Sequence, residues 1–167
     1  MIVPSKLFLH YLDRLEAILL RVQVFDPALG EHRLSPDQFP LLQQARTAIG
    51  FAMRVSCPLA GREIVRFDEG ASTFDTVLAA LHATRDYLAA IPDGDYAQLA
   101  SRDIATTAGF AELRMEGWEY YLMYGVPNFF FHYGTVYAIA RHGGVPLGKT
   151  DYDGYHVYPP GFSFRPA

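Results

Sequence analysis

Asn128, His132, Thr135 and His142 follow one another at spacings of 4, 3 and 7 residues in an otherwise aromatic and aliphatic run. On a helix these polar groups share one face, and Ile139 joins them. Buried polar groups need partners, because an unsatisfied one costs about 1–3 kcal/mol. Such a stripe has two uses. It bonds to backbone or to facing helices as an internal network, or it lines a pocket and offers ligands to a bound group. The candidate pocket residues are therefore Asn128, His132 and Thr135. His142 sits in the last helical turn, where a cation complements the helix dipole.

A metal site inside a helix bundle needs at least three ligands aimed at one point. The other histidines do not supply them. His10 lies on the polar side of its helix beside Asp13 and Arg14, His82 lies off an apolar stripe, and His32 and His156 fall in a loop and a tail. The apolar stripe of the second helix contains no His, Cys, Asp or Glu. The reading is no metal and no cofactor, with catalytic residues unassigned. Arg85 lies in phase with Leu78, Leu81 and Leu88; its stem covers that stripe, or its head meets an anion in a cavity. Cys57 reads as a small buried apolar residue, and alone it forms no internal disulfide. Gly143 to Thr150 ends in Gly-Lys-Thr, but it follows a helix rather than a strand and no helix is expected after it, so it is no phosphate loop.

Periodicity supplies the elements that hold these residues. Helix 1 is expected over Pro4 to Phe25, with Leu7, Tyr11, Leu15, Ile18 and Val22 as its stripe. Ser35-Pro36-Asp37-Gln38 reads as an N-cap, first position and capping-box partner for helix 2. Its stripe is Leu42, Ala45, Ile49, Ala52 and Met53, and Pro58 is expected to stop it. Helix 3 starts at a Ser72 or Thr73 cap and ends before Pro92. Alternation over residues 102 to 116, with Ala108-Gly109 as the turn, predicts a β-hairpin. A helical turn from Trp118 to Tyr124 leads to helix 4, from Pro127 to His142, with Gly143-Gly144 as its stop. The tail beyond Val145 is expected to be irregular and to pack on the bundle or a partner. The fold class is all-α, a four-helix bundle over residues 1–152 with a hairpin between helices 3 and 4 and a tail over 153–167.

The 167 residues carry 14 basic and 18 acidic side chains, a net charge of −4, with Lys6 and Lys149 the two lysines. That balance argues against nucleic acid as a partner. Tyr120 to Ala140 has no charged residue, but Gly125, Pro127, Asn128 and His132 break it into two buried elements rather than a membrane span. A cytoplasmic protein that forms a homodimer through a helix face and the aromatic tail is the expectation.

Pro127-Asn128-Phe129-Phe130-Phe131-His132, Tyr137-Ala138-Ile139, Arg141 to Lys149 and Pro36 to Leu41 together resemble an uncharacterised branch of the DinB/YfiT-like superfamily. The resemblance implies a four-helix bundle over about residues 1 to 152. It also implies a divalent metal held by one histidine on helix 2 and a pair four apart on helix 4, and in some members thiol-dependent transferase or isomerase activity. His132 falls at the second histidine of that pair, Asn128 stands at the first, and helix 2 has none. The expected function is a DinB-like small-molecule-binding or interaction protein that has lost the three-histidine site. The alternative is a metal- or thiol-dependent transferase or hydrolase centred on His132.

Overall fold

A computed structural model describes residues 2–159, 161 and 162. Helix α1 spans Pro4–Phe25, and buries Phe8, Leu12, Leu15, Ile18, Leu19 and Val22 on one face. Asp26 ends it in extended conformation and accepts from the Ala28 amide at 2.9 Å, which starts a 3₁₀ turn at Pro27–Glu31.

Helix α2 spans Leu41–Leu59, so it begins later than the Ser35-Pro36 signal predicts. The Ser35 hydroxyl is spent on the Asp37 carboxylate, and the Gln38 amide donates to the Ser35 carbonyl at 3.1 Å, closing a turn. Pro40 then keeps Phe39 out of the helical region. Pro58 does not stop the helix either, but sits within its last turn. A proline there leaves the carbonyl four residues earlier without its amide donor. That carbonyl belongs to Arg54, and the Tyr120 hydroxyl donates to it at 2.9 Å.

Helix α3 spans Phe74–Ala89, capped by Thr73 in a reciprocal box with Thr76. Strands β1 (Asp103–Ala108) and β2 (Ala111–Glu116) form the expected hairpin, with Ala108 opposite Ala111. Gly109 has φ of +61° and no other residue type in the described chain has positive φ, so the turn has glycine at its first central position. Gly117 opens a helical turn, Gly117–Glu119, under the 3₁₀ turn Leu99–Ser101; a Cβ on it would overlap the Leu99 carbonyl oxygen. The chain continues as a π-helix, Tyr120–Gly125, and then as helix α4, Val126–His142.

The end of α4 is a Schellman stop. The Val145 amide donates to the Ala140 carbonyl at 3.0 Å and the Gly144 amide to Arg141 at 3.1 Å, with Gly144 at φ +91°. A short helix α5, Lys149–Asp153, follows where irregular structure was expected. It starts because the Asp151 carboxylate accepts from the Gly148 amide at 2.7 Å. It does not rescue a phosphate loop, since the segment still leaves a helix rather than a strand. The buried Asp153 carboxylate accepts from the amides of Tyr155 and His156, while His10 bonds the Asp153 carbonyl at 2.8 Å. This much of the tail lies on α1 and α4; residues 160 and 163–167 of the expected tail lie outside the described residues.

The result is a four-helix bundle in which α2 packs on α4 and α3, and α1 on α3 and α2. The head of Arg85 meets carboxylates of its own chain rather than an anion in a cavity. It forms ion pairs across to α1, with Asp13 at 3.1 Å and with Glu16, and His82 joins Glu16 at 2.6 Å. Two carboxylates on the facing helix outcompete water for the guanidinium. No described helix is long and apolar enough to cross a membrane.

Candidate functional site

Helix α4 is oriented by its aromatic side. Phe129 and Tyr133, both fully buried, pack on Phe8 of α1 and on Tyr11, with Phe129 and Phe8 ring centroids 5.0 Å apart. This anchoring turns His132 toward α2, where its Nδ1 lies 2.6 Å from Gln44 Oε1. Gln44 is buried, and its Nε2 donates to the Phe39 carbonyl at 3.3 Å. The amide oxygen is thereby left to accept, so His132 Nδ1 carries the proton and Nε2 presents a lone pair. The imidazole lies nearly parallel to Phe51, at 5.5 Å, and to Phe39, at 6.5 Å. Burial holds its pKa down at about 4, so the ring is neutral at ordinary pH.

The three expected pocket residues do not converge. Asn128 Nδ2 donates to the Tyr124 carbonyl at 2.7 Å, and Thr135 donates to the Phe131 carbonyl at 2.6 Å, each one turn back along the chain. His132 does line a cavity of about 210 Å³, together with Asp37, Gln38, Phe39, Gln44 and Phe131. The sequence reading missed Phe39 and Gln44. Phe39 falls in the stretch that residue pattern assigns to helix 2, and Gln44 is read there as facing away from the core stripe, whereas the structure buries it. Phe131 is exposed although α4 was expected to be buried on most sides.

The lining residues carry three acceptor groups with capacity to spare. Asp37 is held ionised by the Ser35 hydroxyl, Gln38 Oε1 is buried without a partner among the described residues, and His132 offers Nε2. A larger groove of about 680 Å³ lies elsewhere, along Leu20, Arg21, Val24, Phe25, Val145 and Pro146. Its one charged side chain, Arg21, is already engaged with Asp151 at 3.0 Å, so it offers little with which to orient a small ligand.

The arrangement does not fit the divalent metal that a three-histidine bundle would hold. One imidazole nitrogen of His132 is committed to Gln44, Asn128 is committed to its own helix, and α2 presents an amide. Among the described residues no three His, Cys, Asp or Glu side chains stand close enough together to hold a metal ion.

The model of a family described as a domain of unknown function, DUF1993, matches residues 4–153. No curated protein matches the chain. Among solved structures, the chain is similar to a DinB family member protein from Shewanella denitrificans. The two are 28% identical, with a TM-score of 0.82, over 93% of this chain and 92% of that one.

Proposed function

We infer the role of this chain from the premise that it belongs to the DUF1993 family, a domain of unknown function on a DinB-like bundle. We propose that it is a metal-independent small-molecule-binding protein whose ligand enters the cavity beside His132. The observation that carries this reading is the Phe39 carbonyl–Gln44–His132 chain of hydrogen bonds, which fixes a neutral imidazole with Nε2 as acceptor. An imidazole that stays neutral down to about pH 4 is a weak general base, which favours binding over proton transfer. The thiol of Cys57 is fully buried and its pKa is raised by that burial, so it supports no thiol chemistry of its own.

The ligand class follows from the lining. The acceptor groups and the ionised carboxylate call for a donor, and Phe39 and Phe131 bring aromatic rings, which attract cations, to the lining. A small protonated amine carrying a flat apolar group meets all of these. Net charge −4 supports a protein that does not bind nucleic acid, and the single buried cysteine supports a cytoplasmic one. Self-association as a homodimer belongs to the same proposal.

The test is a titration with benzylamine, benzyl alcohol and benzoate, followed by the NMR shift of the His132 Cε1–H. Benzylamine is expected to move that signal most and benzoate least. Asp37→Asn is expected to weaken benzylamine by about tenfold, the loss of one charge-assisted contact. A His132 signal unmoved by all three, or moved most by benzoate, sinks the proposal.

A further inference from the structure

The outer edge of strand β2 is an unpaired strand edge. In a two-residue hairpin the residues flanking the turn form a hydrogen-bonded pair, and such pairs recur at every second position. Ala111, Leu113 and Met115 therefore bond inward to Ala108, Thr106 and Ile104. The backbone groups of Glu112, Arg114 and Glu116 point away from β1. On the other edge of the hairpin, Arg54 of α2 donates to the Thr107 carbonyl at 3.2 Å. Among the described residues no turn, loop or cap backbone hydrogen bond reaches Glu112 or Arg114.

We propose that a second copy of this chain pairs antiparallel with the β2 edge, on a two-fold axis at Leu113, giving a four-stranded sheet across the dimer. The register is selected by charge. With the axis at Leu113, Glu112 stands opposite the partner's Arg114 and Arg114 opposite the partner's Glu112. Both are hydrogen-bonded positions, so the required backbone groups face each other. Directly opposite residues in such a pair bring their side chains within about 5.5 Å, where opposite charges attract and like charges repel. Each charge already has an in-chain neighbour, Thr107 on Glu112 at 2.8 Å and Asp103 on Arg114, so the pairs extend into a row along the sheet. The same register sets Phe110 opposite the partner's Glu116. Phe110 is the most exposed apolar side chain in the described structure, at 108%. An exposed two-stranded hairpin is also marginal by itself, and pairing removes its free edge.

This inference rests on the proposed homodimer and assigns its surface, in place of the helix face and tail expected from sequence. The test is sedimentation velocity on Glu112→Arg and Arg114→Glu, separately and mixed. The wild-type chain is expected to be a dimer. Each single variant opposes like charges at two positions and is expected to dissociate, with a dimer constant weakened by about tenfold or more. An equimolar mixture opposes arginines on one chain to glutamates on the other, and is expected to restore the dimer. That recovery also shows that both variants are folded. A wild-type dimer untouched by either variant overturns the β2 surface but leaves the homodimer; a wild-type monomer overturns both.

Discussion

Phe129→Ala is expected to destabilise the protein by about 3–5 kcal/mol, the range for truncating a buried phenylalanine that leaves a cavity. Phe129 is fully buried where α4 meets α1, in edge contact with Phe8 and Phe130 and stacked on Tyr133 at 5.9 Å. A domain of this size has a total stability of about 5–15 kcal/mol, so the variant loses a large share of it. Urea unfolding checks this through the midpoint at constant slope. Phe131→Ala is the contrast. Its side chain is exposed, and its removal is expected to change stability by no more than about 0.5 kcal/mol. Equal losses at the two positions would contradict the orientation of α4, and with it the placement of His132 against Gln44.

The second large effect is acid sensitivity carried by His132. In the unfolded chain this imidazole takes up a proton near pH 6.5; in the folded chain burial delays protonation to about pH 4. Between those values the unfolded state binds more protons, so stability falls as pH is lowered through the window. The full difference, reached below about pH 4, is at most about 3 kcal/mol at 1.36 kcal/mol per unit. Above pH 6.5 the contribution is constant. His132→Gln is expected to flatten the profile between pH 6.5 and 4. A steeper fall below that window is expected to persist in the variant, because the Asp153 carboxylate, held well below its ordinary pKa by the Tyr155 and His156 contacts, is protonated only there. A wild-type profile flat from pH 7 to 4.5 would contradict a buried, neutral His132.

Much of the fold could be read from residue pattern. The Leu15, Ile18 and Val22 part of the α1 stripe, the Thr73 cap, the Gly109 turn and the Gly143-Gly144 stop each rest on local chemistry, and the structure uses each of them; the N-terminal half of the stripe turns instead to Phe8 and Leu12, with Leu7 and Tyr11 partly buried. The misread positions depend on contacts distant in sequence. Pro58 stays helical because Tyr120, in a later element, satisfies the orphaned Arg54 carbonyl. The Arg85 head is taken up by Asp13 and Glu16, which stand on the facing helix. At the site, His132 was visible as the one well-placed histidine. Phe39 and Asp37 were not, because the Ser35-Pro36 cap signal is a genuine motif that the Ser35–Asp37 bond diverts into a turn; Gln44 was not, because it lies off the Leu42, Ala45 and Ile49 stripe and meets His132 of a helix distant in sequence.

The His132 site is built from an amide and aromatic rings, and its proposed action without a metal is open to a direct test. The test is the metal content of protein purified without a histidine tag or added metal, compared with His132→Ala. A trace content that is the same in both is expected. About one equivalent of a divalent metal in the wild-type protein, lost in His132→Ala, would contradict it, since a tightly held metal needs three or more ligands meeting at that imidazole.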